Sequence, residues 1–320
     1  MQLLFKHATG CSQTTEWRWD QASTVQPDFN DGGPSRCWRV VQIAGKGHGV
    51  EATREIVRGE RIMREWPLAV CCKLHGARIS DASICARINA LAPDASAAYY
   101  QLSQSAVVHG AVVKTAEGIW RSNAYPKGPP EGRIEQAVYT GICRLNHACR
   151  PNTHNAWSVA LGQQTIHAVQ RIRKGEEITV SYLEPGLEWH QRQQHMLSQF
   201  GCACECALCS LPAGRERERS DANQRRIAAI DSVLSGSSEA RRAVGTQIID
   251  YVQEKVRLLE AEGMPQVWAH MDMVHAFTRC CVEGDIPAAN EWMRRAIKAA
   301  KSGLGGDSKV VGDLENILNH

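Results

Sequence analysis

At 320 residues the chain is long enough for about two domains with a sizeable core, and its 43% of apolar residues is ordinary for a globular protein. Its 37 basic and 34 acidic residues leave a net charge of +3, too small an excess to point to a nucleic acid or a membrane surface as partner. No run approaches the about 18 apolar residues of a membrane helix. The start MQLLFKHATG is too short an apolar run for a signal peptide, so an intracellular chain, cytoplasmic or nuclear, is expected; it is also expected to be a monomer. In such a compartment the 13 Cys lean toward metal binding or free thiols rather than disulfides.

In chain order, residues 1–36 are polar and aperiodic, and QPDFNDGGPSR reads as loop, so this stretch is expected to be a loose leader. Short apolar runs follow, cut by GKGHG and RGE, which reads as strands joined by turns. Residues 78–106 look helical, with Ile84, Ile88, Leu91, Tyr99 and Leu102 as the apolar positions and Pro93 opening a second helix. AYPKGPPEGR reads as loop, and residues 133–145 carry apolar residues at roughly helical spacing. QTIHAVQRIRKGEEITVSYL returns to strand, turn and strand, with the turn at Lys174-Gly175 and the second strand ending in Tyr182. Beyond Leu211 the composition turns charged and then helical. Val244, Ile248, Ile249, Val252, Val256 and Leu259 mark one helix, capped by Ser237 or Ser238 and ended by Gly263. Pro265 opens another that stops near Gly284, and IPAANEWMRRAIKAAKSG makes a third. These are helical hairpins of about tetratricopeptide length without a convincing repeat.

Four Cys crowd into CACECALC: Cys202, Cys204, Cys206 and Cys209. Alternate residues of an extended chain share a face, so Cys204 and Cys206 can reach one metal, and Cys209 can fold back onto it. Zinc in structural sites takes four ligands, mostly thiolates. Cys202 could complete the set locally, and Cys149 of CRLNHACRPN (residues 143–152) could complete it from a distance. That last stretch puts polar Asn146 and His147 beside a thiol at the end of an apolar run, where each needs a partner if buried. GKGHGV (residues 45–50) alone would pass as an inter-strand turn, and a lone strand Tyr such as Tyr182 as a core aromatic.

In order, GKGHGV, NHACRPN, GEEITVSY and CxCxxC resemble the SET domain of protein lysine methyltransferases over about residues 38–209. Ala148 stands where Ser is usual. The helical remainder is similar to the C-terminal part of the SMYD-type branch, but residues 70–135 hold only Cys71, Cys72 and Cys85, too few for that branch's MYND zinc module. The resemblance implies an α+β fold with a knot-like threading of the Asn-His segment. The domains it implies are a SET domain at 37–200 with a helical insert at about 76–132, a post-SET zinc segment at 201–212, and a tetratricopeptide-like helical region at 213–320. It implies S-adenosylmethionine as cofactor, contacted by Lys46, Gly47, His48, Asn123, Asn146, His147, Tyr182 and Phe200, with Tyr182 catalytic. It implies Zn²⁺ on Cys149, Cys204, Cys206 and Cys209. Cys202 departs from the aromatic residue usual at that position beside the adenine, which leaves the packing to Phe200. The implied partner is a protein or peptide carrying a target lysine. The alternative is a catalytically silent SET-derived interaction module; Asn146, His147 and Tyr182 together favour the enzyme.

Overall fold

The computed structural model describes residues 36–74, 79–104, 114–127, 133–236, 245 and 247–319. The loose leader and the Ser237 or Ser238 cap therefore lie outside the described residues, residue 36 excepted. Strands β1 (Trp38–Ile43) and β2 (Gly47–Ala52) form an antiparallel pair around a turn at 44–46. Gly45 and Gly47 sit at φ 74° and 73°, where a side chain would strain the backbone. Gly49 is required for a different reason. A Cβ there would stand 2.6 Å from Ile43 Cγ1 and 2.7 Å from Asn146 Nδ2, so only a glycine lets the two segments approach.

β2 pairs antiparallel with β10 (Glu177–Val180), and β10 pairs parallel with the two-residue strand β7 (Asn146–His147). The sheet order is β1-β2-β10-β7. A second sheet, β3-β9-β8, is built from Arg61–Glu65, Gln163–Ala168 and Thr153–Ser158. A third, β4-β6-β5, is built from Ala69–Leu74, Arg133–Val138 and Tyr125–Lys127. Val50, Ile56, Ile142, Ile166, Ile172, Ile178 and Val180 close the core between the sheets with no exposed surface.

The helical spacing read over 133–145 is a strand and a turn, not a helix. Ala137 and Tyr139 bury toward the sheet core while Val138 buries against the helical insert, so β6 is covered on both faces. A strand covered on both faces loses its alternation. Likewise, part of the expected AYPKGPPEGR loop is strand β5, with 128–132 outside the described residues. The insert holds α1 (Asp81–Asn89), α2 (Pro93–Tyr100) and α3 (Ala116–Asn123). Ser80 caps α1 by accepting from the Ser83 N–H at 3.2 Å, and Thr115 caps α3 through Gly118 at 3.0 Å. Ile84, Ile88, Tyr99 and Leu102 are fully buried there, against Ile119 and Trp120.

After β10 come α4 (Trp189–Phe200), α5 (Arg215–Leu234) and α6 (Gln247–Ala261). A 3-10 turn at Gln266–Ala269 leads to α7 (His270–Glu283), α8 (Ile286–Leu304) and α9 (Lys309–Asn319). Pro265 therefore precedes a 3-10 turn rather than sitting inside the α-helix, and Gly284 ends α7 in the left-handed region at φ 78°. The helices share one core that also takes in Cys149, Leu183 and Met196, and α8 packs across β8 and β9. None of the described helices is long and apolar enough to cross a membrane.

Candidate active site and cysteine cluster

The site forms where the segment 145–153 lies against 177–182. The parallel pairing of β7 with β10 is two residues long, and side chains extend it. Asn152 Oδ1 accepts from the Thr179 N–H at 2.8 Å, and its Nδ2 donates to the Glu177 carbonyl at 2.8 Å. An amide side chain thus supplies the donor and acceptor that a continued strand would have supplied. The Ala148 N–H donates to the Val180 carbonyl at 3.0 Å, and Thr153 Oγ1 to the Thr179 carbonyl at 2.8 Å. On the other side, Glu65 turns its carboxylate onto the N–H groups of Thr140, Gly141 and Ile142 at 2.6, 3.0 and 2.8 Å. That anchors the 3-10 turn leading into Asn146.

His147 is buried, and its Nδ1 accepts from the Tyr182 backbone N–H at 3.0 Å. Accepting there leaves Nε2 as the protonated nitrogen of a neutral ring, 3.1 Å from Cys149 Sγ. Desolvation pushes the imidazole from its usual 6.5 down to about 4. Tyr182 lies two residues past the end of β10 rather than at the end of the strand. Its ring stands 5.2 Å from that of His147 and 4.9 Å from that of Phe200, the last residue of α4. Its hydroxyl donates to the Leu145 carbonyl at 2.7 Å, and burial raises the phenol well above its ordinary range.

Asn146 Nδ2 donates to Glu177 Oε1 at 2.9 Å and to the His48 carbonyl at 3.3 Å. Lys46 Nζ donates to the other oxygen of Glu177 at 2.7 Å. The His48 ring meets the Gln42 amide at 2.9 Å and borders an open cleft of about 570 Å³. Lys46, Gly47, His48, Asn146, His147, Tyr182 and Phe200 are therefore brought together. Asn123 is not an ordinary loop Asn: it ends α3, is buried, and spends both amide hydrogens on the Ser103 and Ile119 carbonyls at 2.7 Å each. Only its Oδ1 remains for a ligand. Glu177, Asn152 and Glu65 hold this arrangement together, and the sequence reading does not single them out. Glu177 and Asn152 stand inside the motifs already picked out, but nothing in the sequence shows which partners they meet.

The sulfurs of Cys149, Cys204, Cys206 and Cys209 all lie within 4.8 Å of one another, and Cys202 is exposed outside this group. Cys149 Sγ is 3.8 Å from Cys204 Sγ and 3.6 Å from Cys209 Sγ. Zn–S bonds of about 2.3 Å in a tetrahedron put sulfurs about 3.8 Å apart, so these spacings fit zinc. Hydrogen bonding among the thiols lowers Cys206 and Cys209 and raises Cys149 and Cys204, a crowding that a cation would relieve. Arg192 Nε points at Cys209 Sγ from 3.5 Å, and Gln193 of the same helix α4 holds the Cys204 backbone through 2.9 Å bonds on both its N–H and its carbonyl.

An Asn-His segment paired in parallel with a strand, that strand's following Tyr and a four-thiol cluster define a class, and a family model described as SET domain matches residues 47–183. That match spans 137 of the 320 residues. The chain is similar to Histone-lysine N-methyltransferase set5 of Schizosaccharomyces pombe, 28% identical over 292 residues that cover 88% of this chain and 85% of that one. It is similar over shorter stretches to Histone-lysine N-methyltransferase SET5 of Meyerozyma guilliermondii, at 33% over 92 residues, 28% of this chain and 19% of that one. Protein-lysine N-methyltransferase SMYD4 of Mus musculus is 35% identical over 79 residues, 24% of this chain and 10% of that one.

Proposed function

We propose that the chain is an S-adenosylmethionine-dependent protein-lysine N-methyltransferase acting on a protein or peptide, histone or non-histone, that carries a target lysine. The reading rests on one observation: His147 and Tyr182, distant in sequence, are locked together by the 3.0 Å bond from the Tyr182 N–H to the imidazole. Relatives named as histone-lysine and protein-lysine methyltransferases support it.

When bound, S-adenosylmethionine supplies a methyl group on a sulfonium. Lys46, Gly47, His48, Asn146 and His147 would hold it, with Phe200 as the apolar cover and Oδ1 of Asn123 as a further acceptor. Tyr182 stays protonated, since burial raises its phenol, so it orients rather than abstracts. Its hydroxyl oxygen and the Leu145 carbonyl give two fixed oxygens at the place where the lysine amine would arrive. Positioning of this kind can carry most of a displacement on a methyl group. A free lysine amine titrates near about 10.4, and nearby positive charge favours its neutral form. No general base is then required.

The four thiols of Cys149, Cys204, Cys206 and Cys209 would hold one Zn²⁺ that ties the 201–212 segment to the Asn-His segment. Crossing of these segments is the knot-like threading of the proposed SET domain at 37–200, and the helical region from about 213 forms one wall of the substrate cleft. The second reading, a silent interaction module, draws on the occupation of both Lys46 and Asn146 by Glu177. Incubation with methyl-labelled cofactor and a mixture of histones and cell extract separates the two. Label on lysine supports the enzyme; cofactor binding without label on any protein supports the silent module.

A further inference from the structure

The cleft beside His48 is lined by cationic and neutral side chains, and no carboxylate lines it among the described residues. Arg36, Arg39 and Arg144 face it together with His48, Gln101 and Thr140. Their charges are not equivalent. Arg39 is paired with Glu51 at 2.7 Å, and the Arg36 guanidinium stacks 3.4 Å over the Trp38 ring. Lys46, two residues before His48, is neutralised by Glu177. Arg144 has no side-chain hydrogen bond or ion pair among the described residues. The nearby acid, Glu65, is turned away onto the backbone of residues 140–142, the turn that ends in Arg144. Burial lowers the guanidinium from its ordinary value, and no carboxylate among the described residues counters it. A half-buried cation held without a counter-charge is costly, and an anion entering the cleft would offset that cost.

We infer that Arg144 receives the carboxylate of the cofactor's amino-acid arm. The inference deepens the proposed function and rests on it. Arg144 precedes Asn146 by two residues and opens on the cleft that His48 borders, so it stands beside both expected cofactor contacts. The cofactor carries a single carboxylate. A guanidinium offers it a planar pair of N–H donors, which the compact ammonium of a lysine cannot. Glu65 then has a second use: it fixes the turn while leaving the guanidinium free for the ligand.

The test is calorimetric and needs no turnover. S-adenosylhomocysteine keeps the amino-acid arm and its carboxylate, whereas 5′-methylthioadenosine lacks the arm. Arg144→Met should weaken S-adenosylhomocysteine by about tenfold to a hundredfold, the loss of hydrogen bonds to a charged group, and leave 5′-methylthioadenosine unchanged. Arg144→Lys should fall between wild type and Arg144→Met for the first ligand alone. Circular dichroism and metal content establish that each variant is folded; if Arg144→Met does not fold, Arg144→Lys carries the comparison. Equal losses for both ligands would make Arg144 a structural residue and overturn the inference. Unchanged binding of both to a folded variant would overturn it while leaving the cofactor reading intact. Failure of the wild-type protein to bind either ligand would overturn both.

Discussion

Glu262 is the buried link between the helices and the Asn-His segment, and its removal is a sharp test of how the two halves depend on each other. Its side chain is 3% exposed and accepts from Arg150 at 3.0 Å, Ser220 at 2.7 Å and Asn223 at 2.7 Å. Arg150 directly follows Cys149, so the carboxylate holds the segment of that thiol from the helical side. Breaking a buried ion pair by removing one partner costs about 3–5 kcal/mol. The Arg150 side chain is 34% exposed, and water can recover part of its solvation. Glu262→Ala should therefore cost about 2–4 kcal/mol, and Glu262→Gln less, because its one amide oxygen can still accept from either Ser220 or Asn223, which donate to different oxygens of the carboxylate. Urea titration with an unchanged m-value gives the stability difference. A double-mutant cycle with Arg150→Met isolates the pair. A Glu262→Ala protein within about 0.5 kcal/mol of wild type, or a cycle with no coupling energy, would show that the carboxylate is a passive filler.

Three further outcomes follow from the same geometry. Tyr182→Phe should keep fold, metal content and cofactor affinity while turnover falls by about 10²–10³, the usual loss for one positioned polar group at a reacting centre; equal rates on one substrate would reduce Tyr182 to a core aromatic. Metal analysis should find one zinc per chain, lost in Cys149→Ala and kept in Cys202→Ala, and the reverse pattern would refute the assigned ligand set. Between pH 6.5 and about 4 the protein should lose stability. His154 and His167, cross-strand partners on β8 and β9, are held down to about 4 by desolvation, so the unfolded chain takes up the protons first. For His167 alone the effect is about 3 kcal/mol over that window; His167→Gln should flatten the stability curve there, and parallel curves would place the acid sensitivity elsewhere.

Local chemistry made much of the fold legible. Turn glycines, the insert's apolar stripe and Gly263 and Gly284 as helix ends are signals that a few residues carry by themselves. The reading of 133–145 as helical fails for a reason that no window of sequence contains. The end of β6 is covered by the sheet core on one side and by the insert on the other, so the adjacent Ala137 and Val138 are both buried and the alternation is lost there. The turn at Lys174-Gly175 leads into a strand expected to end in Tyr182, yet β10 stops at Val180. There Thr179 and Val180 complete the two-residue pairing with Asn146 and His147, and the chain then turns so that the Tyr182 N–H reaches the His147 ring.

The site residues divide along the same line. Asn146, His147, Tyr182 and the four thiols belong to motifs whose order survives in the sequence, so a resemblance can point to them. Glu177, Asn152 and Glu262 are ordinary polar letters whose meaning lies wholly in partners far along the chain. Asn152 is the clearest case. Its amide replaces a strand's own N–H and C=O opposite Glu177 and Thr179, which only makes sense where a two-residue strand must be held against a neighbour without further backbone pairing. The same shortness frees the following residues to turn away. Cys149 leaves the sheet toward Cys204 and Cys209, and Arg150 leaves it toward Glu262. A longer β7 would carry those side chains along the sheet instead, so the economy of backbone pairing at Asn146-His147 is what allows one short segment to meet β2, the thiol cluster and the helical half at once.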